Sequence, residues 1–129
     1  AMLLDEAIGR SEDALRIYRD LEPSHENVPR LKNNLAFYLS LRKAAGDGHR
    51  AHGLAIEVLE DFRKTGNLER LNTYAGVIEA FPDFYPGEEI RRIASQLDEI
   101  IAAPTTSAWH RRNAERHRRA LIPILERLR

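Results

Sequence analysis

By type and spacing, five histidines, an adjacent asparagine pair and one arginine run are the residues of this 129-residue chain that could do chemistry. His49 and His52 stand at i, i+3 and could touch one metal ion, but no third ligand lies near them in sequence. His110 and His117 fall on one face of a helix, yet at about 1.5 Å rise per residue they stand roughly 10 Å apart, too far to share an ion. That pair suits packing, with a pH-sensitive interface as the chemistry open to it. Gly46-Asp47-Gly48 reads as a turn, since the glycine spacing and lysine of a phosphate loop are missing. Glu57, Glu60, Asp61 and Lys64 form an open charged face, where nothing would shift a carboxylate toward acid–base work. No serine or threonine has a triad context. The sequence therefore predicts no catalytic residue, no metal site, no cofactor and no enzyme.

Two features survive. "RLKNNLAFYLSLR", Arg30 to Arg42, carries Asn33 and Asn34 inside an apolar segment, and "WHRRNAERHRRALIPILERLR" is strongly basic. Overall the chain is neutral, with 20 basic and 20 acidic residues, so it has no net field to steer nucleic acid or an anionic membrane. The charge nevertheless alternates in blocks: residues 1–29 and 67–104 are acidic, 30–66 and 105–129 basic. There is no cysteine, hence no disulfide or thiolate metal site. No apolar run approaches the roughly 20 residues of a membrane span, and no secretory leader is visible. These points predict a cytoplasmic protein with no membrane contact. The opening Ala-Met reads as a tag remnant, and the chain as a fragment of a longer one.

Breakers divide the sequence into helix-length pieces, at Gly9 to Ser11, Pro23 to Pro29, Gly46 to Gly48, Gly66-Asn67, Phe81 to Gly87 and Ala103-Pro104. Between them apolar residues recur at helical spacing, as in Ala51, Ala55, Val58, Leu59 and Phe62, and nothing alternates with period two. Helices are predicted at about 2–8, 11–22, 29–44, 49–65, 68–80, 87–103 and 107–128, an all-α chain. Ser11 reads as an N-cap, and Pro123 as a kink or stop in the last helix. Trp109 is expected to dock that helix on the preceding unit.

An offset of 39 residues carries Ala36 to Ala75 and Ala75 to Ala114, Leu39 to Ile78, Ala55 to Ala94 and Val58 to Leu97. Small residues returning at a fixed period, with two helices per unit, mark an α-solenoid. "GRSEDALRIYRDLEP" resembles the end of a first helix, the turn and the second helix of a tetratricopeptide repeat, with Gly9, Ala14 and Tyr18 at that family's spacing. Leu35-Ala36 and Leu39 of "NNLAFYL" fall one such period on. Ala36 to Ala55 and Ala75 to Ala94 are each 19 apart, where the family has about 12, so the likeness is to a lengthened form. It implies an α–α superhelix of antiparallel pairs over residues 1–129, with units at about 2–28, 29–66 and 67–104 and a capping helix at 105–129.

In that family the first helix of each unit lines a concave surface where extended peptides bind. On the helical wheel Leu31, Leu35, Tyr38 and Leu39 form the packed face, and Asn33, Phe37 and Ser40 a mixed stripe opposite. One unit on, this stripe becomes Asn72, Gly76 and Glu79. A row of amides can pair with a peptide backbone, Phe37 offers apolar area, and Gly76 clears space. Equally, the asparagines would be solvated and Phe37 packed beneath a neighbour. Arg111, Arg112, Arg116, Arg118 and Arg119 share one arc of the last helix, open to three readings: a polar cap, an electrostatic surface for an acidic partner, or a contact for phosphates. The leading expectation is a scaffold that binds a protein or peptide segment, with self-association also open. A nucleic-acid-associated regulator using the basic helix is the disfavoured alternative.

Overall fold

The computed structural model describes residues 2–128. Ala1, with which the supposed tag remnant opens, and Arg129, the end of the basic block, lie outside the described residues. Six helices and no strand occur among the described residues: α1 (Met2–Leu21), α2 (Asn27–Arg42), α3 (Asp47–Thr65), α4 (Leu68–Ala80), α5 (Gly87–Ala102) and α6 (Ala108–Arg127), with a single 3₁₀ turn at Pro82–Phe84. The chain is all-α.

Local chemistry sets most of the boundaries. Gly66 ends α3 with φ of 70°, a left-handed conformation that glycine adopts without a Cβ clash, and its N–H donates to the Phe62 carbonyl at 2.7 Å. One residue later the Asn67 side chain accepts from the Glu69 N–H at 3.0 Å and starts α4. Ser107 does the same for α6 through the His110 N–H. Lys43 closes α2 at φ of 53°, a strained choice for a residue with a side chain.

Helices of this length are marginal alone and are held by packing. α2 lies against α1, α3 and α4, α4 against α3 and α6, and α5 against α6. Helices α2, α4 and α6 thus sit side by side in one layer, backed by α1, α3 and α5. The repeating small residues are the contact points: Ala36 and Ala75 are 0% exposed, Ala114 1% and Ala55 0%. A methyl there lets backbones approach, while Leu39, Ile78, Val58 and Leu97 fill the space beside them. Between α4 and α5 the 3₁₀ turn wedges Phe84 and Tyr85 against α3. A Cβ at Gly48 would meet Phe84 Cε2 at 2.8 Å, so a glycine is required there.

Several expectations fail. α1 runs unbroken through Gly9 and Ser11. Ile8 and Ser11 are both buried against the neighbouring helices, and packing outweighs the roughly 1 kcal/mol that a helical glycine costs. The turn implied there by the tetratricopeptide likeness, and the Ser11 cap with it, are absent. Pro123 does not stop α6, which runs on to Arg127 as the predicted span 107–128 requires. Pro123 is exposed, so the carbonyl it orphans can bond water. Gly46-Asp47-Gly48 is less a free turn than the start of α3, because Asp47 and Gly48 are its first two residues. Asp47 is 1% exposed and binds Arg42 Nε and Nη2 at 2.8 and 2.7 Å and the Ala44 N–H at 2.9 Å.

Candidate functional site

The α2–α4–α6 layer carries an open, groove-like cavity of about 720 Å³ on the face turned away from α3 and α5. Asn33, Phe37, Ser40, Asn72, Gly76 and Glu79 all line it. Each stripe follows from helical geometry: positions i, i+4 and i+7 share a face, and the buried Ala36 and Ala75 flank that face one turn from its members. α6 adds Trp109, Asn113 and Arg116 at the same i, i+4, i+7 spacing. A strict 39-residue step from Asn72 lands on Arg111 instead, so that the last helix presents its stripe two residues early.

Asn33 is 7% exposed, and its Oδ1 has no hydrogen-bond partner. Asn72 Oδ1 is likewise buried and unpartnered. A buried carbonyl oxygen without a donor costs about 1–3 kcal/mol, and here the cost falls twice, at equivalent positions of neighbouring helices in one cavity. Phe37 is 44% exposed and Trp109 53%, and with Leu41 they give the cavity an apolar rim. Trp109 thus does not dock α6. Its ring lies edge-on to His110 instead. Gly76 meets no neighbour closer than His117 Cε1, 3.7 Å from where a Cβ would stand, so the floor of the cavity is open above it.

Two of the expected residues are used internally. Ser40 Oγ donates to the Phe37 carbonyl at 2.6 Å, and Glu79 Oε2 is 2.6 Å from His117 Nδ1. Lys43 and Arg116 line the cavity as cations outside any ion pair among the described residues, with Glu69 and the His117-bound Glu79 as the carboxylates beside them.

The arginine arc does not form one surface. Arg111 is half-buried and donates to the carbonyls of Ile101, Ala103 and Thr106, tying off the C-terminus of α5. It is a structural clamp, and its placement on an electrostatic surface is corrected. Arg118 pairs with Asp98 at 2.9 Å. Arg112 and Arg119 stay exposed and Arg116 belongs to the cavity. Among the described residues no group of three His, Asp or Glu side chains is placed to hold a metal, and no helix is long and apolar enough to cross a membrane.

Sequence reading missed Lys43, Trp109, Asn113, Arg116 and His117 as cavity residues. The recurrence of the i, i+4, i+7 spacing in α6 was the available signal for three of them, hidden by the two-residue shift. Comparison with protein-family models, with curated proteins and with solved structures finds no match to this chain.

Proposed function

We propose that this chain is a non-enzymatic interaction module of tetratricopeptide-like solenoid form that binds an extended protein or peptide segment in the α2–α4–α6 cavity. The observation that carries this reading is the pair of unpartnered amide oxygens, Asn33 Oδ1 and Asn72 Oδ1, in one cavity. Folded protein gains nothing from leaving them bare, and with their side chains turned toward the cavity they would accept from N–H groups of an extended backbone. The alternating layers and the 39-residue return of small residues support the solenoid form. Lys43 and Arg116 favour a segment with an acidic side chain, and Phe37, Leu41 and Trp109 favour a large apolar one beside it.

A peptide array scored by fluorescence anisotropy tests this. Acidic–apolar sequences are expected to bind, and Asn33→Ala with Asn72→Ala to weaken them by about 10- to 100-fold, the loss of two neutral hydrogen bonds. Arg116→Glu should remove the preference for acid. Equal binding by the double variant, with helicity intact, would take both asparagines out of recognition.

A further inference from the structure

Among the described residues, α1 and α6 each keep a face that no other helix covers. α1 packs through Ile8, Ser11 and Leu15, and its opposite side leaves Leu3 82% and Ile17 55% exposed. Between these two, at alternating three- and four-residue steps, stand Glu6, Arg10 and Asp13, all exposed. Such steps keep side chains on one stripe of a helix. α6 carries the same steps in reverse order through Ala108, Arg112, Glu115, Arg119 and Ile122. Ile122 is 43% exposed, the alanine and both arginines are exposed, and Glu115 is half-buried. None of these ten residues lines the α2–α4–α6 cavity.

Laid antiparallel, the two stripes match at every position in one register. Leu3 meets Ile122, Glu6 meets Arg119, Arg10 meets Glu115, Asp13 meets Arg112 and Ile17 meets Ala108. Of the six charged groups, only Asp13 has an ion-pair partner among the described residues. That partner is Arg16, and with both side chains more than half exposed the pair is weak. Like faces fit less well. The α1 stripe has two acids to one arginine and the α6 stripe two arginines to one acid, so each repels its own kind and attracts the other. α1 and α6 of one chain share no principal packing, so the match is one between copies.

We infer that a second copy of this chain docks its α1 stripe on the α6 stripe in a head-to-tail contact. The contact is heterologous: every molecule in it keeps one free stripe at each end, so copies add in an open row rather than closing as a pair. Three surface ion pairs bounded by small apolar contacts make the association weak and salt-dependent.

Sedimentation velocity of the whole chain at rising concentration tests this. The sedimentation coefficient is expected to grow with concentration at low salt, and to fall back to the monomer value at about 1 M salt, where the Debye length is about 3 Å. Arg112→Glu with Arg119→Glu sets like charges against Asp13 and Glu6 and should weaken self-association about tenfold. Glu6→Arg with Asp13→Arg should act alike. Mixed one to one, the two variants should associate again, since each then meets its complement at both ends. The chain has no cysteine, so Leu3→Cys mixed with Ile122→Cys should give the mixed disulfide in excess over both homodimers if the register is right. A chain that stays monomeric at low salt leaves these faces to another protein and would overturn the inference. So would an oligomer that survives both charge reversals, a mixture that does not reassociate, or disulfides formed in statistical proportion.

Discussion

Asn33→Ala should make the unliganded protein more stable. The substitution removes an oxygen that is buried without a partner, worth about 1–3 kcal/mol. It also exchanges asparagine for the best helix former, adding about 0.5 kcal/mol. Against this stand the lost contacts of three heavy atoms at a position only 7% exposed, on the order of 1–2 kcal/mol. The balance is a gain of about 1 kcal/mol. For 129 residues, an unfolding entropy of about 2.1 cal/mol/K per residue turns that gain into a rise of about 4 °C in Tm. Thermal unfolding followed by circular dichroism at 222 nm measures it directly. A fall of similar size would refute the reasoning, because it would mean the amide is already satisfied in the folded state and belongs to the architecture. A protein that carries a destabilising residue at its recognition surface and regains the cost on binding should show the opposite sign in the two assays: a higher Tm and a weaker peptide complex.

Two glycines and one carboxylate supply the remaining predictions. Gly48→Ala should destabilise by about 1–3 kcal/mol in urea unfolding, despite alanine's helix propensity, because its Cβ would stand 2.8 Å from Phe84 Cε2. Gly76→Ala should stabilise by about 1 kcal/mol, since its Cβ meets only His117 at 3.7 Å. If both shift in the same direction, the assigned packing at one of them is wrong. Hydrogen bonds from Arg42 hold the Asp47 carboxyl below its ordinary range. A depressed folded-state value means that its stabilisation is full above the pH where an unfolded aspartate titrates, about 4, and is lost as pH falls through the folded value. Asp47→Asn should therefore flatten the acid limb of the stability–pH curve. An unchanged limb would remove Asp47 from acid unfolding.

The sequence made α2 to α5 readable, because their apolar spacing is regular and their ends carry glycine, asparagine or proline with a local mechanism. The stripe Asn33, Phe37, Ser40 and its successor Asn72, Gly76, Glu79 were readable for the same reason: period and face are local properties. What escaped depends on distant atoms. Nothing near Gly9 announces that Ile8 and Ser11 will be covered, so its break looked real. Trp109 resembles a docking residue until the neighbouring helices leave it uncovered. Arg111 differs from Arg112 by one position, yet only the fold shows that three carbonyls converge on it. The two-residue displacement of the stripe on α6 is likewise a matter of how that helix rolls on α4 and α5.

The principal packings join each helix to the next or the next but one along the chain. Among the described residues one buried core runs from Ile8 on α1 to Ile124 on α6, yet no principal packing joins the first helix to the last. On the solenoid form proposed above, length becomes a free variable: inserting or deleting one helix pair would lengthen or shorten the proposed trough by one rung without requiring any other pair to be redesigned.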